Sequence, residues 1–142
     1  MTKPGSRQII LLAHGSRDPR WCKTFEEGLV AINRHLASDA QLAYMEMASP
    51  SLETVIANSH LRGVRHVDIL PLFFAEGRHL LHDVPKMIAD LEQEYTGMSI
   101  NLFGAVGKQE IFWEALGIMI STNIDQHNAM ENGSREAFEQ QH

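Results

Sequence analysis

Residues 9–19 of this chain read IILLAHGSRDP, an unbroken apolar run that ends in a polar loop containing glycine. Apolar residues without alternation are typical of a parallel strand that is covered on both faces. Asp18 is a good helix N-cap residue, and Pro19 suits the first turn behind it. The stretch therefore predicts a buried strand that is followed at once by a helix, which is the beginning of a βα unit.

The same alternation of strand and helix continues along the chain. Three further strands are predicted over residues 42–45, 67–74 and 99–103, and helical apolar stripes follow each of them. Such alternation predicts an α/β domain with a four-stranded parallel sheet and helices on both faces. Right-handed crossovers and a switch point beside the first strand predict the strand order 2-1-3-4.

Two prolines affect the predicted limits of the third βα unit. Pro71 is awkward in a central strand because it has no backbone donor, so residues 72–74 are expected to be leaving the sheet. Asp83 is a good N-cap residue and Pro85 suits a first helical turn. The third helix is therefore predicted to begin at Asp83.

Length and composition limit the class of protein. With 142 residues, 44% of them hydrophobic and 21% charged, the chain is typical of a single soluble domain. A net charge of −6 gives no support to nucleic acid or an anionic membrane as a partner. A single cysteine, Cys22, rules out an internal disulfide and fits a reducing compartment. No signal peptide or membrane-spanning segment is recognised, so we expect a cytoplasmic protein.

The composition changes near Asp125, where polar residues replace the apolar ones. Residues 7–124 are therefore predicted to form one domain. Residues 125–142 are predicted to be a polar, loosely ordered C-terminal tail, because they have too little apolar surface to bury.

Three predicted strand ends carry residues that can bind a metal or accept a proton: His14, Glu46 and His79. They recur about one βα unit apart, since a parallel crossover takes roughly 30 residues. The carboxyl ends of neighbouring parallel strands open onto one crevice, where α/β sheets bind ligands. The sequence therefore predicts that the three side chains meet in one site.

Each of these residues also has a plainer interpretation. The ring of His14 could bond a backbone carbonyl in a βα turn, and His79 could be a solvated loop residue, as could His82. We favour His79 over His82 because it lies nearer the strand exit. Glu46 could be a solvated glutamate, but it stands between two methionines at a strand end, where an unpaired carboxylate would be costly and a cation or a proton would relieve the cost.

Two imidazoles and one carboxylate suit Fe²⁺, Co²⁺, Ni²⁺ or Zn²⁺ and contain too much nitrogen for Mg²⁺ or Ca²⁺. Cys22 falls on the apolar stripe of the first helix, so no thiolate ligand is expected. The other histidines lie on predicted helix surfaces, in loops or in the tail and are not expected to bind the metal; they are His35, His60, His66, His127 and His142.

Positive and apolar side chains surround the predicted site. The cationic ones follow the strand ends of an otherwise acidic chain; they are Arg17, Arg20, Arg78 and Lys108. The apolar ones stand near the same strand ends; they are Met45, Met47, Leu72, Phe73 and Phe74. A cleft with metal ligands, apolar walls and a cationic rim suits a large flat molecule that bears carboxylates.

The chain resembles the short, single-domain form of the sirohydrochlorin chelatases, the cobalt- and iron-inserting enzymes of cobalamin and siroheme biosynthesis. The resemblance rests on three segments in the same order and covers about residues 8–120. They are LLAHGSRDP at 11–19, AYME at 43–46 with PSL at 50–52, and LPLFF at 70–74 continuing into GRHL at 77–80 and DVP at 83–85.

The resemblance implies a lobe of the class II chelatase type and a lyase that takes a divalent metal as substrate, with no organic cofactor. His14 and His79 would bind the metal and Glu46 would be the partner carboxylate. Arg17, Arg20, Arg78 and Phe74 would meet a sirohydrochlorin-type tetrapyrrole. Longer relatives contain two such lobes, so a one-lobe chain is expected to form a homodimer.

The sequence departs from the family pattern in two places. Tyr44 stands where phenylalanine is common, a change expected to matter little. Residues 104–107 and the polar tail fit the pattern poorly, so no functional residue is assigned to either segment.

Several functions remain open at this point. Cobalt insertion is favoured over iron insertion by the short form of the chain, although the ligand set accepts Co²⁺, Fe²⁺ and Ni²⁺. A non-catalytic carrier of metal or tetrapyrrole would keep both histidines. A histidine phosphatase is disfavoured because Ala13 replaces the arginine that precedes its catalytic histidine. A flavodoxin or receiver domain lacks support because the first loop has neither a phosphate cradle nor an acidic pair.

Overall fold

The computed structural model describes residues 6–141, apart from the side chain of His79. Four strands and four α-helices follow one another along the chain. They are β1 (Arg7–Ala13), α1 (Pro19–Asn33), β2 (Ala40–Tyr44), α2 (Leu52–Leu61), β3 (His66–Pro71), α3 (Arg78–Glu94), β4 (Ser99–Leu102) and α4 (Glu110–Gln140), with a single 3₁₀ turn at Val106–Lys108.

The four strands form one sheet in the order β2-β1-β3-β4, and every neighbouring pair is parallel. This confirms both the predicted sheet and the predicted order. β1 is central and pairs with β2 and β3, so Leu11 lies between Leu42 on one side and Leu70 on the other. The carboxyl ends of β2, β1 and β3 are therefore immediate neighbours.

Alternate residues of β1 point to two different apolar clusters. Ile10 and Leu12 pack with the buried side chains of α2 and α3. Leu11 and Ala13 pack on the other face, against the apolar stripe of α1. Because both faces of β1 are covered, every residue from Ile10 to Ala13 is at most 2% exposed, as the apolar run predicts.

The third βα unit differs from the prediction at its helix start. α3 begins at Arg78 behind Gly77, so Asp83 and Pro85 lie inside the helix and not at its first turn. Pro85 has no N–H to donate back along the helix, which costs roughly 3 kcal/mol in a helix interior. The earlier start lets Leu80 pack against the core beside Val84, which is 2% exposed. Tertiary packing here outweighs the local signals.

β3 ends at Pro71, as the missing donor of proline predicts. The chain leaves the sheet at once, although the N–H of Leu72 still donates to the carbonyl of Leu12 at 2.8 Å. Residues 72–77 form the loop that leads to α3. The predicted strand 67–74 is therefore too long at its carboxyl end, and the expectation that residues 72–74 leave the sheet is confirmed.

The chain divides into two compact units, one ending at Lys108 and the other beginning at Gln109. The second unit consists of α4, which continues through Asp125 to Gln140. The secondary structure of residues 125–140 thus differs from the loosely ordered tail that composition suggested, although their side chains are exposed. None of the helices within residues 6–141 is long and apolar enough to cross a lipid bilayer.

Candidate functional site

The backbone joins two of the three predicted site residues directly. The N–H of Met45 donates to the carbonyl of Ala13 at 2.9 Å, and the N–H of Glu46 donates to the carbonyl of His14 at 3.1 Å. β1 and β2 therefore stay connected beyond the ends of their strands. Because these are main-chain bonds, the adjacency of His14 and Glu46 does not depend on side-chain rotamers.

Gly15 makes this close approach possible. It has a φ of +101°, in the region that favours glycine, and an added Cβ would lie 1.7 Å from the carbonyl oxygen of Glu46. In the structure it admits the backbone of Glu46, and it thereby packs the two strand-end loops together.

Glu46 itself is exposed, and the next residue, Met47, has a φ of 59°. A left-handed conformation is unusual for methionine, and the chain bends directly after the carboxylate-bearing residue. The argument that burial would make an unpaired Glu46 carboxylate costly is therefore wrong. The carboxylate stands at a solvent-accessible strand end, where an incoming cation can reach it.

His14 is exposed, and one face of its ring packs on Phe73, with ring centroids 4.2 Å apart and planes tilted by 44°. Phe73 is 4% exposed and belongs to the core. The imidazole makes no hydrogen bond to any residue whose position the structure describes. The plainer interpretation, a ring held by a backbone carbonyl, is therefore not what these residues show, and both ring nitrogens are left for other partners.

His79 lies in the first turn of α3, directly beyond the loop that leaves β3. Its side chain lies outside the described part of the structure, so its membership of the site stays a prediction. Among the side chains that the structure does describe, no three from His, Cys, Asp and Glu lie close enough to hold a metal ion. His14 and Glu46 are thus the two predicted ligands that the strand ends bring together.

The predicted cationic rim separates into two kinds of side chain. Arg17, in the loop after β1, and Arg78, at the start of α3, are both exposed. Arg20 and Lys108 are instead engaged with carboxylates: Arg20 lies 3.1 Å from Asp18, and Lys108 lies 3.7 Å from Glu76. The Arg20 side chain and its backbone N–H lower the pKa of Asp18 below its usual 3.8.

A surface cavity of about 540 Å³ opens beside the strand ends of β1 and β2. Arg17 and Lys23 supply two positive charges to its lining against the one negative charge of Glu26, and Met47 supplies an apolar wall. Two of its lining residues, Arg17 and Met47, follow His14 and Glu46 in the sequence within three residues. The cavity is therefore large and cationic enough to receive part of a carboxylate-bearing ligand.

The loop after β4 contains residues that sequence reasoning left without a role. An added Cβ at Gly107 would lie 1.5 Å from the carbonyl oxygen of Phe74, and the N–H of Gly107 donates to the carbonyl of Phe73 at 2.9 Å. The N–H of Ala105 donates to a carboxylate oxygen of Glu76 at 3.1 Å. The two glycines of the loop were the only signal in the sequence for this close contact.

Known proteins are similar to this chain in sequence and in structure. A family model described as CbiX matches residues 8–123. The candidate cobalamin (vitamin B12) biosynthesis protein CbiX of Marinobacter aquaeolei VT8 is 41% identical, with a TM-score of 0.78 over 85% of this chain and 99% of that chain. The sirohydrochlorin chelatase SirB of Bacillus subtilis subspecies spizizenii, solved in complex with cobalt, is 25% identical, with a TM-score of 0.66 over 73% of this chain and 45% of that chain.

Curated relatives include chelatases for two different metals. The chloroplastic sirohydrochlorin ferrochelatase of Arabidopsis thaliana is 27% identical over 76% of this chain, which spans about half (48%) of that protein. The sirohydrochlorin cobaltochelatase of Saccharolobus islandicus is 24% identical over 66% of this chain and 76% of its own. The matched segment contains β1 to β4 with His14, Glu46 and His79, and from this match the chain belongs to the CbiX family of class II chelatase-type lobes.

Proposed function

We propose that this chain is a sirohydrochlorin cobaltochelatase, which inserts Co²⁺ into a carboxylate-rich tetrapyrrole for cobalamin biosynthesis. One observation carries the proposal: the carboxyl ends of β1 and β2 bring His14 and Glu46 together through a 3.1 Å main-chain hydrogen bond. An imidazole and a carboxylate beside an exposed edge are suitable for handling a cation. Membership of the CbiX family supports the assignment of the reaction.

Metal insertion removes two protons from the pyrrole nitrogens and replaces the solvent ligands of the ion with four ring nitrogens. A catalyst that holds the ion through few protein ligands leaves positions open for the incoming ring. His14 and His79 would present the ion, and Glu46 would act as a third ligand or accept a pyrrole proton. The exposed position of Glu46 leaves its carboxylate accessible for either role.

The tetrapyrrole would bind over the same strand ends. Its carboxylates would meet Arg17 and Arg78, whose side chains are exposed, and Phe74, which is 68% exposed, would offer an apolar face to the ring. Arg20 was predicted for the same role, but it would have to share its guanidinium with Asp18. We therefore assign Arg20 a smaller part than Arg17 and Arg78.

Cobalt is our choice of metal, and iron is the runner-up. The relative that this chain matches over 99% of its length is a candidate cobalamin biosynthesis protein, which favours Co²⁺. The Arabidopsis relative is a sirohydrochlorin ferrochelatase, and the two-histidine, one-carboxylate set also accepts Fe²⁺. Incubating the purified protein with sirohydrochlorin and Co²⁺, Fe²⁺ or Ni²⁺ in turn, while following the spectrum of the macrocycle, ranks the three metals. A spectrum that none of them changes contradicts the proposed enzyme.

A non-catalytic carrier of metal or tetrapyrrole is the competing function. The variant Glu46→Ala separates the two, because a carrier needs the carboxylate far less than a catalyst that must remove pyrrole protons. General acid–base groups typically contribute 10²–10⁴-fold to a rate. If Glu46→Ala slows metal insertion by a factor of this size but still binds Co²⁺ and the tetrapyrrole, the result supports the enzyme. Insertion at the wild-type rate in this variant removes Glu46 from the mechanism.

We further propose that the chain acts as a homodimer. It spans about half the length of the Arabidopsis relative and 45% of the Bacillus chelatase, so two copies would supply a comparable amount of protein around one macrocycle. α4 adds support because its central part carries large apolar side chains that are each more than half exposed: Ile118, Met119, Ile120 and Ile124. Residues 115–124 contain no charged side chain, which suits a surface that a second copy covers.

We place the reaction in the cytoplasm. Cys22 is a free, half-buried thiol, which is typical of proteins that stay in a reducing compartment. No nucleic acid or membrane partner is needed for the proposed chemistry.

A further inference from the structure

We infer that Glu76 is a positioning residue for the metal site: it ties the loop after β4 to the loop after β3 and so holds Phe73 against the ring of His14. The inference rests on the proposed function, since it concerns how His14 is oriented to hold the ion. Glu76 is not one of the three residues that are predicted to be catalytic. Its proposed role is indirect, because it acts on His14 through Phe73.

Glu76 belongs to the loop after β3, and its side chain contacts two residues of the loop after β4. One of its oxygens accepts the N–H of Ala105 at 3.1 Å, and the other lies 3.7 Å from the Nζ of Lys108. Its side chain is only 18% exposed, whereas that of Lys108 is 60% exposed. Ala105 is fully buried. The hydrogen bond to the buried N–H is therefore the stronger link, and the exposed ion pair adds little.

The backbone of the same junction is packed at close range. Gly107 donates to the carbonyl of Phe73 at 2.9 Å and leaves no room for a Cβ against the carbonyl of Phe74. Together with the contacts of Glu76, this fixes residues 73–76 to residues 105–108 at three points. These contacts set the position of the loop backbone, from which the buried ring of Phe73 reaches the imidazole of His14.

Phe73 transmits this position to the site. Its ring packs on the imidazole of His14, which has no other described partner that would set its orientation. Residues that orient a metal-binding histidine typically change metal affinity 10–100-fold when they are removed. Here an aromatic contact takes the place of the usual hydrogen bond. Loosening the junction at Glu76 should therefore weaken the binding of an ion at His14.

The test uses Co²⁺ alone, so that it does not depend on turnover. In Glu76→Ala, which loses both contacts, we expect Co²⁺ affinity, followed by its visible absorption, to fall about 10-fold. Glu76→Gln keeps an acceptor for the Ala105 N–H and should stay within about twofold of the wild type. Glu92→Ala removes an exposed glutamate of α3 and is the matched control.

Kinetics separate positioning from a merely structural role. In Glu76→Ala the KM for the metal should rise and kcat should fall, while the KM for the tetrapyrrole stays unchanged, and Glu76→Gln should restore the KM for the metal and kcat. If Glu76→Ala fails to fold, Phe73→Leu replaces it, because leucine keeps apolar volume and removes the ring contact. Its Co²⁺ affinity should fall by the same factor.

A folded Glu76→Ala or Phe73→Leu that binds Co²⁺ as the wild type does overturns the inference, as does a Glu76→Gln that is as impaired as the alanine variant. The proposed function fails in a different way. A wild type that binds Co²⁺ but never alters the tetrapyrrole spectrum contradicts the chelatase and leaves the positioning role standing. A wild type that binds no Co²⁺ removes both.

Discussion

The N–H of Glu46 donates to the carbonyl of His14 at 3.1 Å, so a carboxylate-bearing residue and an imidazole-bearing residue are joined through their main chains at the edge of the sheet. The two residues come from different βα units and are adjacent because β1 and β2 are parallel neighbours. A site built this way is positioned by the sheet itself. The relative position of His14 and Glu46 then depends on the residues that let the two strand-end loops approach each other.

Gly15→Ala should destroy this approach. The new Cβ would lie 1.7 Å from the carbonyl oxygen of Glu46, and alanine would be strained at a φ of +101°. Strain of this kind costs on the order of 1–3 kcal/mol, and relief requires Glu46 to move away from His14. We expect a lower melting temperature and at least a tenfold loss of metal insertion, measured by thermal unfolding and by the tetrapyrrole spectrum.

Gly28→Ala is the matched control for that substitution. Gly28 lies in α1, and an added Cβ there meets no atom within 4 Å. Alanine is favoured over glycine in a helix interior by about 0.5–1 kcal/mol, so this variant should be slightly more stable and fully active. Equal effects of the two substitutions would mean that the contact between Gly15 and Glu46 does not matter.

Tyr44→Phe should stabilise the protein. Tyr44 is 3% exposed, and its hydroxyl has no hydrogen-bond partner among the residues that the structure describes. Burial raises the pKa of Tyr44, followed by the charges of Cys22 and Glu26 and by the closeness of the Cys22 thiol to the hydroxyl. That thiol is not a hydrogen-bond partner for the hydroxyl, because it donates to the carbonyl of Ser16 at 3.5 Å. Removing an unpaired buried hydroxyl should raise the free energy of unfolding by about 1 kcal/mol.

Denaturant unfolding measures this change, and Tyr95→Phe, at a half-buried tyrosine that packs on His60, is the comparison. A Tyr44→Phe variant that is less stable than the wild type would show that the hydroxyl has a partner in solution.

Asp18 should make stability depend on acid pH. Its carboxylate caps α1 by accepting the N–H of Arg20 at 2.9 Å, and the Arg20 guanidinium and this N–H lower its pKa below 3.8. A carboxyl group with a depressed folded-state pKa stabilises the fold above its unfolded pKa and loses that contribution as the pH falls through the folded value. The stabilisation should therefore be complete at pH 7 and disappear as the pH falls below 3.8.

Asp18→Asn isolates the charge, because asparagine caps helices about as well as aspartate. The melting temperature of the wild type should exceed that of Asp18→Asn at neutral pH, and the difference should close in strong acid. A difference that stays constant across this range would rule out ionisation of Asp18 as its cause.

Ile120→Glu should dissociate the proposed homodimer. Ile120 is 60% exposed in the uncharged part of α4, and a stable interface needs about 800 Å² from each partner. Light scattering of the eluting protein should give the mass of a dimer for the wild type and of a monomer for the variant. Leu61→Glu, at an 83% exposed leucine of α2, should remain dimeric. A wild type that is monomeric at micromolar concentration contradicts the homodimer.

The sheet was predictable because its signals are local and repeated. The apolar run of β1 and the loss of a donor at Pro71 each decide a feature through their own chemistry, and both appear in the structure. The adjacency of His14 and Glu46 followed from the strand order alone. The sequence did not reveal why the two residues can approach so closely, because the contact between Gly15 and Glu46 joins two different βα units.

The errors lie where tertiary packing decides the result. Asp83 and Pro85 carry strong helix-start signals, yet α3 begins earlier because Leu80 gains a place against the core. Glu76 showed no pattern in the sequence, because its partners Ala105 and Lys108 lie on another βα unit. The polar composition of the residues after Asp125 agrees with the exposure of their side chains, but it did not indicate that they are helical.

X-ray absorption of the Co²⁺-loaded protein tests the central claim most directly, because it counts imidazole ligands at the ion. The account predicts two imidazoles, with metal–nitrogen distances near 2.1 Å as histidine gives with Zn²⁺. His14→Ala and His79→Ala should each remove one imidazole, and Glu46→Ala should remove neither. A spectrum without imidazole, or one that His14→Ala leaves unchanged, would contradict the account.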